Sequence, residues 1–180
     1  MTTVLMILPE GFEEIEAVTP IDLMRRAGFD VTVAALADGI HVTGRTGITL
    51  HATTTLSAIP EQQVFDLLVL PGGPGVKLLR ADARVRARIT LQATGPGWLA
   101  AICAAPTALH DAGILDGRNF TAHPSVASEL PTARLSERLV IDGKLITSRG
   151  AGTALEFGLA LVEALAGPGK AREISAAIAT

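Results

Sequence analysis

The chemistry this sequence can do centres on its single cysteine. Cys103 follows the apolar run Trp98-Leu99-Ala100-Ala101-Ile102 and precedes Ala104-Ala105-Pro106-Thr107. Proline is favoured in the first turn of a helix, so a helix is expected to open within a residue or two of the sulfur. Unpaired backbone N–H groups at a helix start favour an anion, and a thiolate held there has a pKa below its free value of ~8.5. The bland alternative is an inert buried thiol. A strand–Cys–helix order instead points to a nucleophile, and the small Ala104 and Ala105 leave room for a substrate.

Three further sets of residues suit such chemistry. Gly72-Gly73 follows the apolar residues 67–70 and can aim backbone N–H groups at an oxyanion, or can simply be a turn that needs positive φ. Glu13, Glu14 and Glu16 stand together near a helix start, where acids commonly just complement the dipole. Sequence does not decide which of the three points inward, although Glu16 alone is flanked by Ile15, Ala17 and Val18. A carboxyl drawn into an apolar pocket has a raised pKa and suits proton shuttling. His123, in Ala122-His123-Pro124-Ser125, is a candidate base or donor, or an ordinary loop residue.

Other chemistries find no support. The chain has no Gly-x-Ser-x-Gly elbow and no phosphate-binding Gly-x-x-x-x-Gly-Lys-Ser/Thr loop. Gly150-Ala151-Gly152 matches a dinucleotide loop only in part, because Leu155 stands where the third glycine belongs. His41, His51 and His110 lack the spacing of a ligand set, so no metal is expected. Fifteen Lys+Arg against eighteen Asp+Glu give a net charge of −3, which argues against a nucleic-acid partner. Hydrophobic residues make up 48% of the 180, so disorder is excluded. The longest apolar run, residues 98–109, falls short of the ~20 needed to span a bilayer, so no membrane association is expected. A lone cysteine and an N-terminus without a basic stretch favour a reducing, cytoplasmic setting.

The elements that must position these residues alternate. Residues 4–8, 31–36, 66–70 and 98–102 read as buried strands, and residues 119–122 as a further one. Residues 13–26 read as a helix with Ile15, Val18, Ile21 and Met24 on its apolar stripe, and Pro20 is expected to kink or break it. Residues 41–50 read as short extended segments turning at Gly44 and Gly47. Asp82 caps a helix that turns Val85 and Ile89 inward and Arg84, Arg86 and Arg88 to solvent. Asp142-Gly143 signals a small β-hairpin across residues 138–148. Thr153 and Glu156 read as a capping box, and Gly167-Pro168-Gly169 as the end of the last helix. Such alternation predicts one α/β domain over residues 1–180, a mostly parallel sheet with helices on both faces. Its strands end on one edge, where ligands bind at the point of reversed strand order. That edge gathers residues 11–16, Gly72, Gly73, Cys103 and His123.

At these residues the sequence resembles the ThiJ/PfpI superfamily, in the branch of the Parkinsonism-associated deglycase and its bacterial relatives. The similar blocks are Glu13-Glu14-Ile15-Glu16-Ala17-Val18, Asp22-Leu23-Met24-Arg25-Arg26-Ala27-Gly28, Val69-Leu70-Pro71-Gly72-Gly73, Ala100-Ala101-Ile102-Cys103-Ala104-Ala105-Pro106-Thr107, His123-Pro124 and Thr147-Ser148-Arg149-Gly150-Ala151-Gly152-Thr153. The resemblance implies a flavodoxin-like sandwich that forms homodimers. It implies Cys103 as nucleophile, Glu16 as the protonated carboxyl beside it and His123 as accessory acid/base. Gly72, Gly73 and Ala104 would form the backbone cradle. Ala104 stands where protease relatives carry a histidine, which argues against proteolysis. The implied activity is a cofactor-free glyoxalase or deglycase acting on small reactive 2-oxoaldehydes such as methylglyoxal. The alternative is an oxidative-stress sensor or redox-regulated chaperone that works through oxidation of the same cysteine.

Overall fold

A computed structural model describes residues 1–180. In chain order the elements are β1 (Thr3–Leu8), α1 (Glu14–Arg26), β2 (Asp30–Ala35), β3 (His41–Thr43), β4 (Thr49–His51), β5 (Thr54–Thr55) and β6 (Leu67–Leu70). Then come α2 (Val76–Ala81), α3 (Ala83–Thr94), β7 (Trp98–Ile102), α4 (Pro106–Asp111), β8 (Leu139–Asp142), β9 (Leu145–Ser148) and α5 (Ala154–Ala177). Seven strands form one sheet in the order β5-β2-β1-β6-β7-β9-β8, while β3 and β4 pair as a separate antiparallel ribbon. All neighbours in the large sheet are parallel except β8 and β9, which form the hairpin expected around Asp142-Gly143.

The sheet is covered on both faces, and the period of two along β1 shows it. Val4, Met6 and Leu8 enter a core with α1 and α5, while Leu5 and Ile7 enter a second core with α3 and α4. This is why β1 reads as an unbroken apolar run. The chain steps from β1 outward to β2 and then crosses back to β6 on the other side, so strand order reverses between β1 and β6. No helix is long and apolar enough to cross a membrane.

Several local expectations are corrected. Helix α1 runs through Pro20 without a break. Its buried residues are Glu14, Glu16, Ala17, Pro20, Ile21, Leu23 and Met24, whereas Ile15 and Val18 face outward, 54% and 42% exposed. Contact with the sheet and α5 selects that face, and a wide apolar pattern in sequence leaves the choice open. Residues 119–122 are not a strand; Thr121 instead donates its N–H to the Thr147 hydroxyl at 2.9 Å. Arg88 is buried, and its guanidinium donates to the carbonyls of Ile59, Pro60 and Gln63. The Thr153–Glu156 box does not form, because the Thr153 hydroxyl serves the preceding turn and Glu156 pairs with Arg138. Gly167, with φ 82°, breaks the helical path as expected, but helix resumes beyond Pro168.

Helices α1 and α5 meet at Gly158. A Cβ there would lie 2.5 Å from Leu23 Cδ1 and 3.2 Å from the backbone of Pro20. Gly158→Val therefore forces the two helices apart, and urea unfolding is expected to show a loss of about 1–3 kcal/mol.

Candidate active site

Three strand ends build the site. After β1 the chain passes Gly11 and enters α1 at Glu13; after β6 it turns through Gly72 and Gly73; after β7 it reaches Cys103. These ends flank and adjoin the reversal between β1 and β6, the position where open α/β sheets bind ligands.

Cys103 sits on a strained turn. Its φ is 65°, in the left-handed region that side chains other than glycine rarely enter. Such a conformation costs on the order of 1–3 kcal/mol and persists only when the surroundings impose it. Here they do: Cys103 N–H donates to Ser148 O at 2.9 Å, and Cys103 O accepts from His123 N–H at 2.8 Å. The strand-to-helix turn thus has the geometry of a nucleophile elbow without the Gly-x-Ser-x-Gly sequence. The thiol is half-buried, and the nearby N–H groups of Gly73 and Ala104 lower its pKa without a hydrogen bond of standard geometry.

The three acids take separate tasks. Glu13 caps α1, its Oε2 accepting from Glu16 N–H at 2.8 Å. Glu14 accepts from the Thr46 N–H at 2.8 Å and hydroxyl at 2.5 Å, which tie down residues 44–48. Glu16 enters the site, 1% exposed, and its Oε2 accepts from Gly72 N–H at 3.0 Å. That N–H is therefore committed to the carboxyl, and the backbone donors left near the sulfur are those of Gly73 and Ala104. Gly72 has no room for a side chain: a Cβ would collide with Glu16 Oε2 and lie 2.5 Å from Cys103 Cβ.

Electrostatics couple the two reactive groups, although no hydrogen bond of standard geometry joins them. Burial raises the Glu16 carboxyl to about 7; the Cys103 thiol lowers it, the Glu13 charge raises it, and Gly72 N–H and Arg45 lower it. Burial, then the charge of Glu16 and its contact with the sulfur, push the thiol up to about 12. This departs from the lowered thiol pKa that a helix start suggests. Helix α4 begins three residues beyond Cys103 and is only six residues long, so its dipole is a weak counterweight. Two of the causes raising the thiol vanish once Glu16 carries a proton. The pair is best described as one acid that loses its first proton near 7, with the remaining proton held by either partner.

His123 lies at the rim. Its Nδ1 accepts from Ser125 N–H at 3.2 Å and pairs with the Ser125 hydroxyl at 2.8 Å, which assigns the neutral ring's proton to Nε2. No hydrogen bond links the ring to Cys103 or Glu16. The cavity of about 370 Å³ that opens over the sulfur is lined by Glu13, Glu16, Gly73, Cys103, Ala104 and His123, and also by Arg45, Pro74, Ser125 and Ala151. Arg45 escapes sequence reasoning because it arrives from the β3–β4 turn, far along the chain, with no motif around it. A larger cavity of about 630 Å³ lies by the amino-terminal ends of β1 and β7 and is lined by no cysteine, serine or histidine. No group of three or more His, Cys, Asp or Glu side chains converges as a metal set.

The sequence model of the DJ-1/PfpI family matches residues 2–164. The chain belongs to the DJ-1/PfpI family. It is 39% identical over 175 residues to protein dj-1beta of Drosophila melanogaster, covering 95% of this chain and 93% of that one. It is 32% identical over 176 residues to the glutathione-independent glyoxalase DJR-1.2 of Caenorhabditis elegans, covering 96% and 93%. Among solved structures, oxidized Toxoplasma gondii DJ-1 superposes with a TM-score of 0.93 at 33% identity, covering 99% of this chain and 98% of that one. The flavodoxin-like DJ-1/PfpI fold is thereby established for the chain.

The raised Glu16 carboxyl gives this family member a pH signature. Its folded value, about 7, exceeds the usual 4.5, so its contribution to stability is full below about pH 4.5 and lost as pH rises through about 7. Glu16→Gln removes that loss. Relative to wild type, the variant is expected to gain stability between pH 5 and pH 8 by up to about 3 kcal/mol in denaturant titrations. An equal difference at both pH values contradicts the buried, protonated carboxyl.

Proposed function

We propose that this protein is a glyoxalase/deglycase-type enzyme that converts 2-oxoaldehydes such as methylglyoxal to 2-hydroxy acids through Cys103. The observation that carries the reading is the buried Glu16 carboxyl against a thiol that two backbone N–H groups also reach, all opening onto one cavity. The C. elegans relative named a glutathione-independent glyoxalase lends support.

The chemistry balances without a hydride acceptor. The Cys103 sulfur adds to the aldehyde carbon, and the proton of Glu16 goes to the new alkoxide, which the Gly73 and Ala104 N–H groups stabilise. Glu16, now a carboxylate, removes the hydrogen on that carbon as a proton, leaving an enediolate with its charge on the second oxygen. Glu16 returns the proton to the neighbouring carbon, and the hydroxyl proton of the first carbon passes to the second oxygen as the first carbon becomes the carbonyl of a thioester to Cys103. Water cleaves the thioester, releasing the 2-hydroxy acid and restoring the thiol. His123, protonated on Nε2, donates to the second oxygen as charge builds there.

A homodimer fits the exposed Ile15, Val18 and Ile48, apolar side chains on α1 and the β3–β4 turn that Glu14 joins. A cytoplasmic setting accords with the single free thiol. The same half-buried sulfur also supports a second reading, redox sensing, in which peroxide converts the thiol to a sulfinate that protonated Glu16 stabilises.

Metal-stripped protein incubated with methylglyoxal is expected to accumulate lactate. Cys103→Ala abolishes this, and Glu16→Gln lowers kcat by about 10²–10⁴-fold. Undiminished turnover in Cys103→Ala overturns the assignment. A gain of two oxygens on Cys103 after mild peroxide, with no lactate formed, favours the sensor.

A further inference from the structure

Arg45 is the only lysine or arginine lining the cavity over Cys103, and its guanidinium makes no ion pair and no hydrogen bond within the chain. The turn that carries it is firmly held. Gly11 N–H donates to Thr43 O at 2.8 Å, Arg45 N–H to Phe12 O at 2.8 Å, and Gly44 N–H to Ile48 O at 2.9 Å. Thr46 is bound twice to Glu14 Oε1, and a Cβ on Gly44 would collide with that carboxyl. A rigid platform thus presents one unneutralised cation to the site.

Such a cation can act on the sulfur or on the substrate. Arg45 is the smallest of the influences on Glu16 and is not among those on Cys103. With no partner in the chain, that charge stands open to an anion bound in the cavity. The other permanent charge there, Glu13, is engaged by Glu16 N–H at the start of α1, where the helix N-terminus offsets it.

We propose that Arg45 is a specificity-determining residue that binds a carboxylate on the substrate, so that the preferred 2-oxoaldehydes are those carrying a carboxylate. This rests on Cys103 as the nucleophile and narrows the substrate class of the reading above.

Two isosteric alkylating reagents, iodoacetate and iodoacetamide, test the charge directly on the intact protein, with Cys103 modification followed by mass. The iodoacetate-to-iodoacetamide rate ratio is expected to exceed that of free glutathione by about fivefold, the effect of one contact ion pair in water. Arg45→Gln brings the ratio down to that of glutathione, and Arg45→Lys restores most of it. In turnover, wild type is expected to favour 4,5-dioxopentanoate over methylglyoxal in kcat/KM, and Arg45→Gln raises KM for the former about fivefold. A ratio unmoved by Arg45→Gln, or an equal slowing of both reagents, overturns the proposal; in the second case Arg45 acts through the thiolate. Absence of turnover with both aldehydes sinks the glyoxalase reading alone, because the alkylation ratio still reports the cation. No reaction of Cys103 with either reagent sinks both.

Discussion

One proton held between Glu16 and Cys103 is the constraint on which the rest of the site depends. Two acids in a low-dielectric pocket cannot both ionise, since each charge raises the cost of the other. Burial is the largest cause raising both groups, and a charge on Glu16 raises the thiol further. The second ionisation of the pair is therefore much harder than the first. What matters for reactivity is how the first charge divides between oxygen and sulfur. Gly72 N–H favours charge on oxygen, whereas Gly73 and Ala104 N–H favour it on sulfur. The backbone of two adjacent glycines thus acts on both sides of one proton-transfer equilibrium.

The fold supplies this arrangement through strand ends rather than through a helix dipole. Parallel β1, β6 and β7 terminate at one level, and each contributes one element: the carboxyl from α1, the glycine turn, and the thiol. Close approach requires that Gly72 have no side chain, and the positive φ of Cys103 turns its sulfur out of the sheet. Strain at Cys103 is sustained by β9, whose Ser148 carbonyl takes the Cys103 N–H, and by His123, whose N–H takes the Cys103 carbonyl. Ser148 is held in turn by Thr153 through a 2.6 Å hydroxyl pair. The block from Thr147 to Thr153, which showed no chemistry of its own in sequence, is the support for the elbow.

What was legible in the sequence follows a physical division. Strands buried on both faces announce themselves, so β1, β6 and β7 were readable from apolar runs, and Cys103 and Gly72-Gly73 from their places after them. The direction of a helix face was not, because Ile15 and Val18 belong to an apolar pattern whose orientation is set by α5 and the sheet. Polar residues misled where other partners claim them: Arg88 is drawn in by three distant carbonyls, and the Thr153 hydroxyl by the Ser148 hydroxyl and the Gly150 carbonyl. The ionisation of Cys103 was unreadable for the same reason. It depends less on the adjacent short helix than on a carboxyl 87 positions earlier in the chain. Arg45 had no local signature at all, and only the docking of its turn on Glu14 and Phe12 brings it to the cavity.

The state of His123 completes the division of roles within the proposed chemistry. A base must offer a free lone pair toward the substrate, but the Nδ1 lone pair of His123 is already engaged by Ser125. The neutral ring therefore presents a donor from Nε2 and no acceptor. Glu16 is left as the group able both to take a proton from carbon and to give it back, which suits a carboxyl poised near 7. Moving a hydrogen between adjacent carbons needs one base that reaches both, and a buried carboxyl fixed by Gly72 N–H meets that need better than a ring at the solvent rim. The exposed histidine is then matched to the opposite task, stabilising charge on an oxygen that must later leave with the product.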